Sequence, residues 1–119
     1  MGLTNLMFTV KKNRDSKKKK QVEFLIDSGA VYSLVPSPIL KELGLKPYRR
    51  ETFSLADGTS IERQAGDAYF EYKGSGAPAP VIFGEEGDET LLGVTTLEAI
   101  GLVYNPYTRE LYPMRMLLV

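Results

Sequence analysis

The sequence predicts a mainly β domain, closed fully or in part into a barrel, with two short helices. Three observations carry that expectation. At least seven short runs rich in Val, Ile, Leu, Phe and Tyr alternate with turn-forming residues. Only two stretches space their apolar residues as a helix does, and both are short. No internal repeat organises the runs into a solenoid or a propeller. At 119 residues the chain is close to the commonest domain size, so a single domain over 1–119 is expected.

The elements follow in order. LMFTVKK (6–12) and QVEFLID (21–27) flank the polar NRDSKKKK, which reads as a hairpin with a long solvated loop. The four lysines from Lys17 to Lys20 have no aromatic residues between them, so they read as a soluble tip and no nucleic-acid partner is expected. PSPILKELGL (36–45) places Ile39, Leu40, Leu43 and Leu45 near helical spacing, with Ser37 and Pro38 suited to a start and Gly44 to an end. ETFSLADGTSIERQAG (51–66) reads as strand, turn, strand around Asp57-Gly58, a strong local hairpin signal. DAYFEYKG and PAPVIFGE form a further strand pair around the Gly/Pro-rich GSGAPAP. ETLLGVTTLEAIGL gives an apolar run, Gly93, and a helix through Val94, Leu97, Ile100 and Leu102 with Thr95 or Thr96 as its cap. LVYNPYTRELYPM closes with two short strands around Asn105-Pro106, and the apolar tail MRMLLV (114–119) is expected to pack on its own barrel or, preferably, on a partner.

Composition narrows the chemistry. Fifteen basic residues balance fifteen acidic ones, so net charge selects no partner. The absence of Cys and His removes disulfides, Cys/His zinc sites and nucleophiles activated by His. No run of about 18 apolar residues occurs, and no basic-then-apolar leader opens the chain, so a cytoplasmic protein with no membrane partner is expected. Glu85, Glu86, Asp88 and Glu89 lack the alternation and trailing Glu of a calcium loop and read as a solvated acidic loop; no metal is expected. The seven tyrosines read mainly as packing residues rather than a base-stacking surface.

The stretch EFLIDSGAVYSLVP (23–36) carries the functional signal. Phe24, Leu25 and Ile26 read as a buried strand that runs directly into Asp27. A carboxylate at that position is costly unless it is paired, hydrogen-bonded or used, and Ser28 and Gly29 offer a hydroxyl and an unhindered amide to hold it. A plain Asp-Ser-Gly turn is the alternative reading of the tripeptide alone. The segment Leu25-Ile26-Asp27-Ser28-Gly29-Ala30 resembles the apolar-apolar-Asp-Ser/Thr-Gly-Ala signature of the retropepsin-like aspartic proteases, single-domain relatives of retroviral proteases. The other parts stand in that family's order over residues 22–113. A short helix ends in LKELGL, an Ala56-Asp57-Gly58-Thr59 hairpin occupies the flap position, and Leu91-Leu92-Gly93 precedes a helix.

The resemblance implies an acid-protease barrel with a flap hairpin, working as an aspartic endopeptidase without cofactor. With one Asp-Ser-Gly in the chain, it implies a homodimer in which two Asp27 carboxylates activate water against a peptide or protein substrate. Carried across by position, Asp27 is the catalytic acid or base, Ser28 hydrogen-bonds across the dimer, and Gly29 lets backbone approach substrate. Ala30 and Val31 line the cleft, while Ala56, Asp57 and Gly58 lie over the bound peptide. Val31 stands where many relatives have a polar residue, the hairpin tip has a single Gly, and Val94-Thr95-Thr96 replaces the viral Gly-Arg-Asn/Asp; the likeness is closer to cellular and microbial members. Val31 and the changed Val94-Thr95-Thr96 motif also motivate the alternative, a catalytically inactive dimeric peptide-binding or assembly module of the same fold.

Overall fold

The inward alternation of Leu6, Phe8 and Val10 against Val22, Phe24 and Ile26 starts the fold by pairing β1 (Asn5–Lys11) with β2 (Lys19–Ile26) in antiparallel register, Phe8 opposite Val22. The computed structural model describes residues 4–55 and 57–114. Among these, β3 (Ser33–Pro36), α1 (Ser37–Glu42), β4 (Arg49–Ser54), β5 (Ser60–Tyr72), β6 (Ser75–Gly84), β7 (Leu91–Leu92), α2 (Val94–Ile100), β8 (Leu102–Asn105) and β9 (Glu110–Pro113) follow in order. The mainly β composition with two short helices is as the sequence predicts. The expected packing of the apolar tail falls on residues 115–119, outside the described residues.

The large sheet runs β1-β2-β7-β3-β6-β5-β4, and β1 also pairs with β5 through Val10 opposite Phe70. Six strands therefore form a closed ring of pairings, with β4 attached outside it to β5. Phe8, Phe24 and Phe70 meet inside, Phe8 edge-on to Phe24 at 5.8 Å and Phe24 tilted on Phe70 at 6.1 Å. Leu40, Leu43 and Leu45 from α1 and its C-terminal turn, and Leu97 from α2, complete this core. The buried Lys11 is satisfied by Glu71 at 3.0 Å and by the Arg14 carbonyl at 2.9 Å.

Three local expectations change. Residues 60–72 form one strand where the sequence suggested a break at Gly66-Asp67. Gly66 belongs inside the strand because another chain segment crowds it: a Cβ there would lie 3.1 Å from the Lys46 carbonyl oxygen. The connection to β6 is only Lys73-Gly74, at φ 48° and 86°, and Pro78 and Pro80 lie within the strand. They are tolerated because β6 pairs with β3 only from Val81 onward, so its first half is an edge with no donor required on the open side. Finally, Gly93 is the N-cap of α2 without any side-chain cap, and Thr96 turns inward. The end of α1 follows expectation: Gly44 at φ 87° lets its amide bond Lys41 and that of Leu45 bond Leu40.

Candidate functional site

The apolar end of β2 delivers Asp27 to a fixed place. Leu25 and Ile26 pair in parallel with Leu91 and Leu92 of β7, and Leu34 of β3 pairs antiparallel with Leu91. Leu91-Leu92 thus lies between the strand that enters the Asp-Ser-Gly loop and the strand that leaves it. The Asp27 amide donates to the Leu92 carbonyl at 3.1 Å. The loop then closes on itself, with the Ala30 amide donating to the Asp27 carbonyl at 3.1 Å and the Gly29 amide to Asp27 Oδ1 at 2.9 Å. One carboxylate oxygen is therefore held by backbone, while Asp27 as a whole is half-buried and Ser28 and Gly29 are exposed.

The far side of the loop rests on the start of α2. Val94 and Thr95 donate their amides to the Ala30 and Val31 carbonyls at 2.9 and 3.0 Å. These first-turn amides have no partner within the helix, so the loop carbonyls satisfy them. Gly93 makes this approach possible: a Cβ on it would fall 2.6 Å from the Tyr32 carbonyl carbon.

A cleft of about 480 Å³ opens beside the loop, beginning at Gly29 and continuing along Ala30 and Val31; Asp27 itself does not line it. Its walls are chiefly apolar, from Val31, Leu34, Phe53, Ile61, Ile82 and Leu91. Glu51 and Arg63 add charge at one side. The facing wall is the β4–β5 hairpin. From Ser60 to Arg63, β5 pairs with β4 alone, since pairing with β6 begins at Gln64, so the hairpin stands out as a two-stranded arm. Such an arm, without a third strand, lies at the less stable end of a fold.

Arg63 ties that arm down. Its Nε and Nη2 meet Asp88 Oδ2 and Oδ1 at 2.8 and 3.0 Å, and the Glu85 amide donates to Asp88 Oδ2 at 2.7 Å. The Arg63 bond, aided by the Glu85 amide, holds the Asp88 carboxyl below the usual carboxylate range against an opposing burial effect. The segment read as a uniformly solvated acidic loop thus contains one anchoring carboxylate, while Glu85, Glu86 and Glu89 are exposed. Among the described residues no group of His, Cys, Asp or Glu is arranged to hold a metal ion.

The residues named from sequence divide between loop and arm. Asp27, Ser28, Gly29, Ala30 and Val31 form the loop, and Val31 is 59% exposed. Asp57 and Gly58 form the turn of the arm, Gly58 at φ 89°, and neither lines the cleft. Asp57 Oδ1 accepts from the Thr59 hydroxyl at 2.6 Å and its amide at 3.0 Å, which lowers the Asp57 pKa and marks it as a turn residue. Ala56 lies outside the described residues. Phe53, Ile61 and Arg63 escaped the sequence reading. The signal available was the alternation of β4, where Arg49, Glu51 and Phe53 are half-buried and their neighbours exposed. Tyrosine packing is only partly as expected, since Tyr69 is buried but Tyr107 is 94% exposed.

No family model matches the chain, and no curated protein matches it.

Among the described residues no helix is long and apolar enough to cross a membrane.

Proposed function

We propose that this chain is a retropepsin-like aspartic endopeptidase that acts as a homodimer, cleaving extended peptide segments in the cytoplasm without metal or organic cofactor. The observation that carries the reading is the position of Leu91-Leu92-Gly93 between the two strands that bracket Asp27-Ser28-Gly29. In the resemblance drawn from sequence, that element forms the floor of the active site. An apolar cleft beside the loop, faced by a two-stranded arm, supports it further.

In this reading the two Asp27 carboxylates of a dimer share one proton. The ionised one takes a proton from water as its oxygen attacks the scissile carbonyl, and the protonated one donates to the carbonyl oxygen. Collapse of the tetrahedral species breaks the C–N bond: the amine takes the proton that the first carboxylate drew from water, and a hydroxyl of the tetrahedral species returns its proton to the other carboxylate, which restores the singly protonated pair. Ser28 hydrogen-bonds across the two-fold axis, and Gly29 admits the substrate backbone. Ala30 and Val31 contact substrate side chains, and the arm, with Asp57 and Gly58 at its turn, closes over the peptide as a flap, bonding it as an added strand. The charged edge of the cleft is occupied internally, Glu51 by Arg49 at 2.9 Å and Arg63 by Asp88, which favours apolar substrate side chains.

Concentration dependence tests the dimer requirement. Specific activity falls on dilution through the monomer–dimer range, because a single chain supplies one such carboxylate. Activity per chain that stays constant far below the dimer dissociation constant contradicts the reading.

A further inference from the structure

Two buried hydroxyls beneath the Asp27 loop have no place in the proposed chemistry. Ser33 and Thr96 are both fully buried, and their hydroxyls share a hydrogen bond at 2.5 Å. Ser33 Oγ also accepts the Gly93 amide at 2.9 Å. Both hydroxyl residues lie in the buried interior, in segments that also supply Val35, Leu92 and Leu97 to the apolar core, where a hydroxyl without a partner is costly. The pair joins β3 to the third residue of α2 across 63 positions of sequence.

The bonds form a chain that ends at Asp27. Thr96 orients the Ser33 hydroxyl, Ser33 fixes the Gly93 amide, and the next two amides, Val94 and Thr95, hold the Ala30 and Val31 carbonyls. Directly before Gly93, Leu92 accepts the Asp27 amide. Leu92, Val94 and Thr95 thus bond the loop on both sides, and Gly93 between them is anchored by the Ser33 side chain. The Tyr32 backbone lies close beside Gly93, where a Cβ would fall 2.6 Å from it, so the approach leaves no room for a side chain.

We infer that the Ser33–Thr96 hydroxyl pair is a positioning device that sets the placement of the Asp27 loop through Gly93. Ser33 and Thr96 are positioning residues, since neither would touch substrate. The inference rests on the proposed peptidase reading for its catalytic consequence, but its structural content stands apart from activity. Displacements of about 1 Å at a reacting group cost on the order of a hundredfold in rate, so a device of this kind acts on kcat.

The test uses Thr96→Val, which keeps the side-chain shape and removes the hydroxyl, with Ser33→Ala as a second disruption and Thr96→Ser as the conservative control. Amide hydrogen exchange at Gly93, Val94 and Thr95 is read beside kcat and KM on a peptide that the wild type cleaves. We expect Thr96→Val to fold, with exchange at these amides about tenfold faster or more while the β5–β6 amides are unchanged. It lowers kcat about tenfold or more with KM within about twofold, and Thr96→Ser keeps wild-type values in both readouts. Exchange and kcat within about twofold of wild type in both Thr96→Val and Ser33→Ala overturn the inference. So does equal damage by Thr96→Ser, which would mark the methyl packing as the cause. Should both disruptive variants fail to fold, the wild-type Gly93 amide decides: exchange only through global unfolding is expected, and exchange as fast as in the β4–β5 arm overturns it. A wild type that cleaves no peptide defeats the peptidase reading, while the exchange comparison still judges the hydroxyl pair.

Discussion

A side chain added at Gly93 would lie 2.6 Å from the carbonyl carbon of Tyr32 and 2.8 Å from the carbonyl oxygen of Val31. Both neighbours are backbone of the segment that follows Asp27, so relief requires separating β7 from the loop. Gly93→Ala is expected to cost about 1–3 kcal/mol of stability, the usual range for overpacking where little can yield. Urea denaturation checks this, and a change under about 0.5 kcal/mol would show that the segment yields freely.

The Arg63–Asp88 pair is expected to make stability sensitive to acid. The folded Asp88 carboxyl titrates below its unfolded value, so its contribution is fully present above the ordinary carboxylate pKa and is lost as pH falls through the folded one. With both side chains less than one-fifth exposed, Asp88→Asn should cost about 1–3 kcal/mol at neutral pH. The variant and wild type should converge in stability below the carboxylate range. Urea midpoints measured from neutral pH downward check this; a constant gap at all pH values contradicts it.

Leu92 is fully buried in the core directly behind Asp27. Leu92→Ala should destabilise by about 2–5 kcal/mol, through lost apolar burial and the cavity left behind. Thermal or urea unfolding provides the measurement, and a cost below about 1 kcal/mol would mean that the site collapses around the smaller side chain.

Phe53 contributes to the cleft from the arm and is half-buried. If a peptide side chain packs on it, Phe53→Ala should weaken peptide binding about tenfold or more, the scale of losing one buried aromatic contact, with little change in stability. A KM within twofold of wild type would remove the arm from peptide recognition.

The pattern of strands, turns and helices was legible wherever it is written locally. Asp57-Gly58 marks its turn by a side chain bonding two residues ahead, and Gly44 ends α1 by taking positive φ. The sequence was misleading where distant chain decides. Gly66 reads as a break, but it lies inside the strand with the Lys46 backbone packed closely on it, and GSGAPAP reads as a long turn centre, whereas Lys73-Gly74 alone makes the turn. At the site, the Asp27 loop was visible because three apolar residues lead directly into Asp-Ser-Gly. The cleft wall was not, because Phe53 and Ile61 face it only once the arm has paired. Thr96 was visible only as a candidate cap, and its pairing with Ser33 carried no signal: single hydroxyl residues far apart in sequence form no pattern until the fold joins them.

The central claim is that Asp27 is a catalytic carboxylate, and cleavage of a mixed peptide library tests it most directly. Purified protein at a concentration where the dimer is verified is incubated between about pH 4 and 7.5, with Asp27→Asn alongside, and products are read by mass spectrometry. The account predicts cleavage by the wild type that disappears in Asp27→Asn. Cleavage that persists in the variant, or no cleavage by either protein, contradicts it, and peptide binding without cleavage would instead indicate an inactive binding or assembly module.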